Sequence, residues 1–179
     1  FLSPILLLVS YSIKLQDGGR IIYKQKRNGF NSNIFSIYKF RSMIENAEFN
    51  NKSVWSKKND KRITKIGKYI RKFRLDELPQ LINILFGEMS LIGPRPERPD
   101  IDENLSSEIK CYYLRYKVKP GISGWAQVNY PYGASINDAK IKLSYDLFYI
   151  KNCNIFLDLI IFFKTIKQVI NGKGAIAKS

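Results

Sequence analysis

The chain has 179 residues, enough for one domain with its own core, and nothing in its length requires a second. Its Lys and Arg number 30 against 15 Asp and Glu, a net charge of +15 that favours anionic partners: a phospholipid surface, nucleic acid or a phosphorylated substrate. The absence of histidine excludes Ser-His-Asp and Cys-His catalysis, most zinc sites and imidazole acid-base chemistry, so any catalysis runs on carboxylates and cations, with or without a metal.

The chain opens on Phe1-Leu2-Ser3-Pro4-Ile5-Leu6-Leu7-Leu8-Val9, and its apolar stretch over residues 1–13 falls short of the ~20 residues a helix needs to cross a bilayer. No basic region precedes that stretch and no small-residue cleavage site follows it, which weighs against a signal peptide. A helix is expected over 5–15, stopped by Gln16-Asp17-Gly18-Gly19. Alternation in residues 20–25 and 34–40 around Asn28-Gly29 predicts a β-hairpin over about 20–41. Residues 42–51 are helix-compatible, and the charged stretch 52–61 reads as a surface loop.

A helix over 65–73 places Ile66, Tyr69, Ile70 and Phe73 on one face. Pro79 interrupts that helix or opens a new one, and residues 80–86 form a short apolar helix ended by Gly87. Pro94, Pro96 and Pro99 stiffen an extended segment, after which residues 103–117 read as an amphipathic helix with Leu105, Ile109, Tyr112, Tyr113 and Tyr116 inward. A glycine-punctuated loop over 119–129 leads to a short strand, and helices follow over 137–150 and 155–170. The last is too apolar for full solvation, so either core or a membrane interface covers it. Cys111 and Cys153 form no CxxC or metal-ligand pattern, which suits a reducing compartment such as the cytosol. The expected fold is a helix-rich α/β (α+β) domain around a small antiparallel hairpin.

The chemistry concentrates in Arg71-Lys72-Phe73-Arg74-Leu75-Asp76-Glu77-Leu78-Pro79-Gln80 and Gly93-Pro94-Arg95-Pro96. Adjacent acids at a helix start can be nothing more than a favourable cap. Here arginines flank them and a proline-held arginine follows, a set suited to phosphate, a divalent metal and a carboxylate nucleophile.

Together with Ser3-Pro4, the runs 25–29 and 39–43, the segment from Lys119 to Asn129 and Tyr145-Asp146, these motifs span nearly the whole chain. In this order the sequence resembles the catalytic domain of bacterial monotopic polyprenyl-phosphate phosphoglycosyl transferases, the bacterial sugar transferase family, and within it the larger, exopolysaccharide-type members. The resemblance implies transfer of a sugar 1-phosphate from a UDP-sugar to undecaprenyl phosphate with release of UMP, at the cytoplasmic face of the inner membrane. It implies a phosphosugar intermediate on Asp76, with Glu77 and Asp76 at Mg²⁺, and phosphate contacts from Arg71 and Arg95.

Lys39 and Arg41 are expected as site cations, against a solvated strand edge as the alternative. Gln127 and Asp146 fall in matching motifs, and Asp146 is equally readable as the partner of a nearby arginine. The family's re-entrant membrane helix, broken at Ser3-Pro4, implies residues 1–15 as its outgoing half and 16–179 as the catalytic domain. Nearly all of the incoming half is then expected ahead of Phe1. Inner-membrane lipid is an implied partner, interfacial amphipathic helices are expected, and a homodimer stays open. Two other classes compete: a basic nucleic-acid-binding module, which leaves the apolar entry unexplained, and a basic membrane-peripheral scaffold without catalysis.

Overall fold

A computed structural model of the chain describes residues 3–47, 60–131, 133 and 135–172. Helix α1, Ser3–Asp17, places Pro4 in its first turn, where proline's missing N–H costs no intrahelical bond. Its Val9 and Ile13 are buried against Phe40 and Ile70, while Leu7, Leu8, Tyr11 and Leu15 stay exposed. The entry segment is therefore a packed helix on one side. Whether it continues into a re-entrant partner lies outside the described residues. Among the described residues, no helix is long and apolar enough to cross a membrane.

Strands β1, Ile22–Asn28, and β2, Ile34–Phe40, form the expected antiparallel hairpin, with Lys39 opposite Tyr23 and Asn28 opposite Ile34. The turn is not a tight Asn-Gly turn. A short 3-10 turn over Phe30–Ser32 lengthens it, closed by the Gly29 N–H donating to Asn33 O at 2.9 Å. Residues 42–47 do not form the expected helix, because Met43 pairs with Ile63 in an isolated antiparallel bridge. Residues 48–59, including most of the expected surface loop, lie outside the described residues.

Helix α2, Lys65–Lys72, starts where the Thr64 side chain accepts from Gly67 N. It buries Ile70, but Tyr69 and Phe73 are exposed, so the predicted four-residue face is only half used. A 3-10 helix, Leu75–Gln80, contains Pro79 and runs into α3, Leu81–Leu85. Gly87 then reverses the chain at φ 75°, a left-handed conformation that glycine adopts without Cβ strain.

The expected 103–117 helix is two pieces. Helix α4, Pro99–Glu108, stops before a 3-10 helix over Tyr112–Lys117, and Cys111 between them has φ 63°. Tyr113 faces solvent, whereas Leu105, Ile109, Tyr112 and Tyr116 are buried as expected. A parallel pair not expected from the sequence also forms, β3, Ser90–Ile92, with β4, Gly121–Ser123. Helix α5, Trp125–Asn129, lies in the segment expected as loop, and the strand expected to follow that loop does not form among the described residues.

Helices α6, Ile136–Asn152, and α7, Ile155–Ile170, follow the expectation within two residues at each end. Ser135 and Asp138 cap α6 reciprocally, and Asn154 caps α7 through Leu157 N. In α7, Leu157 and Ile161 join Ile92 and Tyr149 in a core, while Ile155, Phe156, Phe163 and Ile170 remain exposed. A third cluster, Leu105, Ile109, Tyr112 and Leu143, ties α4 to α6.

Candidate active site

The Asp-Glu pair sits at the meeting point of the hairpin, the 3-10 helix and the proline turn. Its placement begins with Asn83, fully buried in the otherwise apolar α3. The Asn83 side chain donates to Ser36 O at 2.8 Å and accepts from Tyr38 N at 3.2 Å, which fixes α3 and the preceding 3-10 helix against β2. Strand alternation then sends Ile37 inward and lets Lys39 reach the acids.

Glu77 is buried and collects three cations. Arg95 donates to its Oε1 at 2.7 Å, Lys39 Nζ lies 3.2 Å from the same oxygen, and Arg74 approaches Oε2 at 3.5 Å. Arg74 was legible in the sequence only as a flanking charge. It takes φ 53°, an uncommon conformation for arginine, and that turn aims it at Glu77.

The electrostatics separate the two carboxyls. Burial, then the negative charge of Glu77, raises Asp76 to about 6, against the pull of Lys39, Arg71 and Arg95. Burial also works to raise Glu77, but Arg95, Lys39 and Arg74 outweigh it and hold Glu77 far below the usual carboxylate range. Burial lowers Lys39 to about 8, partly offset by Glu77. Glu77 is the main reason Arg95 is held above its ordinary value. The pair is thus one permanently charged anchor and one carboxylate ionised near neutral pH.

The proline turn is set by backbone contact with the 119–124 loop. Gly93 N donates to Ser123 O and Gly121 N to Pro94 O, both at 2.9 Å. A Cβ on Gly93 would stand 2.5 Å from Lys119 O, so the two loops approach this closely because glycine lacks one.

Of the sequence-predicted residues, Asp76, Glu77, Lys39 and Arg95 come together, and Arg71 acts on Asp76 through its charge. Arg41 does not join them. It is buried against Asp17 and lies 3.8 Å from Glu45, tying β2 to the end of α1. Gln127 donates to Ile122 O at 3.1 Å, and its buried Oε1 has no hydrogen-bond partner among the described residues. Asp146 pairs with Arg115 at 3.0 Å, away from Glu77. Ser3 and Pro4 open α1 and take no part in the cluster.

Among the described residues, no three His, Cys, Asp or Glu side chains gather as a metal cage. Two adjacent carboxylates are a donor set that fits Mg²⁺ completing its shell with water and substrate phosphate, and does not fit an ion held by protein alone.

Residues 1–172 match the family described as bacterial sugar transferase. The UDP-N-acetylgalactosamine-undecaprenyl-phosphate N-acetylgalactosaminephosphotransferase of Aeromonas hydrophila is 46% identical, over 97% of this chain and 41% of that protein. The UDP-glucose:undecaprenyl-phosphate glucose-1-phosphate transferase of Klebsiella pneumoniae is 43% identical, over 97% of this chain and 38% of its own length. The exopolysaccharide production protein ExoY of Sinorhizobium fredii is 38% identical, over 97% of this chain and 80% of its own. The chain therefore spans well under half of the first two relatives.

Proposed function

The chain belongs to the bacterial sugar transferase family, and from that premise we propose that it transfers a sugar 1-phosphate from a UDP-sugar to undecaprenyl phosphate, releasing UMP, in two steps through Asp76. The supporting observation is the cation-ringed carboxylate pair: a half-buried Asp76 beside a Glu77 that holds Lys39, Arg74 and Arg95. The names of two relatives, which include undecaprenyl phosphate and a UDP-sugar, supply the substrate classes.

In the first step an Asp76 carboxylate oxygen attacks the sugar-bearing phosphorus. The P–O bond to the nucleotide breaks, UMP leaves with the electron pair, and an aspartyl phosphosugar forms. In the second step an undecaprenyl phosphate oxygen attacks the same phosphorus, which restores the Asp76 carboxylate and yields the lipid diphosphate sugar. Arg95 and Arg71 hold the donor's phosphate oxygens, where a guanidinium gives two parallel bonds. Lys39 neutralises the charge that builds on the transferred group. Glu77 keeps these cations at the site before substrate enters. Magnesium, held by Glu77 and Asp76, would screen the diphosphate and stabilise the departing UMP.

The reaction is assigned to the cytoplasmic face of the inner membrane. The exposed apolar side chains of α1 and α7, with Lys164 and Lys167 beside the latter, suit a lipid headgroup boundary.

The test is UMP release over a panel of UDP-sugars, with Mg²⁺ and vesicles carrying undecaprenyl phosphate. Wild type releases UMP with one donor, and Asp76→Asn, still folded, does not. UMP release by Asp76→Asn at the wild-type rate refutes the assignment.

A further inference from the structure

Asp146 is 2% exposed on α6, too enclosed and of the wrong sign to bind a phosphate itself. Its partner Arg115, also buried, lies on the 3-10 helix before β4. One Arg115 nitrogen, Nη2, stands 3.0 Å from Asp146 Oδ2 and donates to the backbone carbonyl of Arg95 at 2.7 Å. The other, Nη1, donates to the Tyr112 hydroxyl, and the guanidinium lies over the Tyr112 and Tyr116 rings at 4.9 and 5.9 Å. Arg115 is thus held in one place by an acid, a hydroxyl and two rings, and it passes that placement to the proline turn.

The turn needs such a hold. Pro94 and Pro96 lack the N–H that would tie the segment to its neighbours, so its carbonyls must anchor it. Gly121 N takes Pro94 O, and Arg115 takes Arg95 O. Pro96 restricts Arg95 to an extended backbone, so fixing its carbonyl fixes the direction in which its side chain leaves. That side chain is 41% exposed, reaching across to Glu77 at 2.7 Å, and packing alone does not immobilise it.

We infer that Asp146 and Arg115 are positioning residues: the buried pair locks the Arg95 carbonyl, so that the Arg95 guanidinium is held at Glu77 and over the phosphate of the donor. The phosphate end of this inference rests on the transferase reading. The hold on the Arg95 backbone does not.

The experiment uses Asp146→Asn and Arg115→Lys, each alone and combined with Arg95→Ala, with Ile13→Ala as a control. Ile13 is a core residue of α1 packed with Val9, Phe40 and Ile70, so its loss lowers stability without touching the relay. Amide exchange is read across residues 93–98, and UMP release gives kcat and KM.

Expected in Asp146→Asn and Arg115→Lys is faster exchange at 95–98 with protection kept in β1, β2 and α7, and a fall in kcat on the order of 10- to 100-fold, as for an ångström-scale misplacement. In the Arg95→Ala background the same changes alter kcat by less than about twofold, since the group they position is gone. The inference is overturned if exchange at 95–98 is unchanged, if Ile13→Ala speeds it equally at matched loss of thermal stability, or if the kcat losses multiply in the Arg95→Ala background. Wild type that releases no UMP while the exchange pattern holds would refute the transferase reading and still support the relay.

Discussion

Replacing Glu77 by glutamine probes the core of the site, because it removes one charge and almost no volume. In the native protein that carboxylate faces Arg95 at 2.7 Å, Lys39 at 3.2 Å and Arg74 at 3.5 Å. An amide offers one acceptor oxygen and turns an N–H₂ toward a cation, so three positive groups lose their common partner. Breaking a buried pair from one side costs 3–5 kcal/mol, and solvent around the 41% exposed Arg95 side chain brings the expectation to the lower end, ~3 kcal/mol.

For a domain of this size that is roughly 6–12 °C in the thermal midpoint. The same change leaves a more cationic pocket, so inorganic phosphate binds more tightly while UMP release is lost. Phosphate at 100 times its Kd returns about 2.7 kcal/mol to the variant. The assay is thermal unfolding of both proteins across a phosphate series, beside UMP release. A midpoint loss under about 2 °C, or phosphate stabilising both proteins equally, refutes the account of Glu77 as the anchor of the cation cluster.

Two further outcomes follow from the same geometry. Because burial and Glu77 raise Asp76 to about 6, its nucleophilic form is present above that pH and lost below it; UMP release falls about tenfold per unit on the acid side, and a profile flat down to pH ~5 contradicts this. Ile161, 0% exposed where α7 meets Ile92 and Tyr149, loses about 3 kcal/mol as alanine in urea unfolding, and a loss under ~1 kcal/mol means α7 is not seated on the domain as described.

What the sequence made legible was local. Period-2 alternation marked β1 and β2, helical spacing marked α2, and the segments of α6 and α7 also read as helices. Long-range pairing defeated the rest. Met43 leaves its helix-compatible segment because Ile63 is its partner, and the three-residue β3 and β4 exist only by pairing with each other. The break at Cys111 carries no glycine or proline to announce it.

The site shows the same division. Asp76, Glu77, Lys39 and Arg95 stood out by charge and motif, and Arg41 carried the same signal yet turned to Asp17. Asn83 gave one weak sign, a polar residue inside an apolar helix, while Arg115 gave none, since its meaning lies in an acid thirty-one positions away and in the carbonyl of Arg95.

The most direct test of the central claim is intact-protein mass spectrometry of wild type and Asp76→Asn after mixing with Mg²⁺ and the donor, with no lipid acceptor. The account predicts a gain of one sugar phosphate on wild type alone, lost again when undecaprenyl phosphate is added. UMP released in the presence of lipid, with no adduct at any time, would contradict covalent catalysis through Asp76 and mean direct transfer between the two substrates.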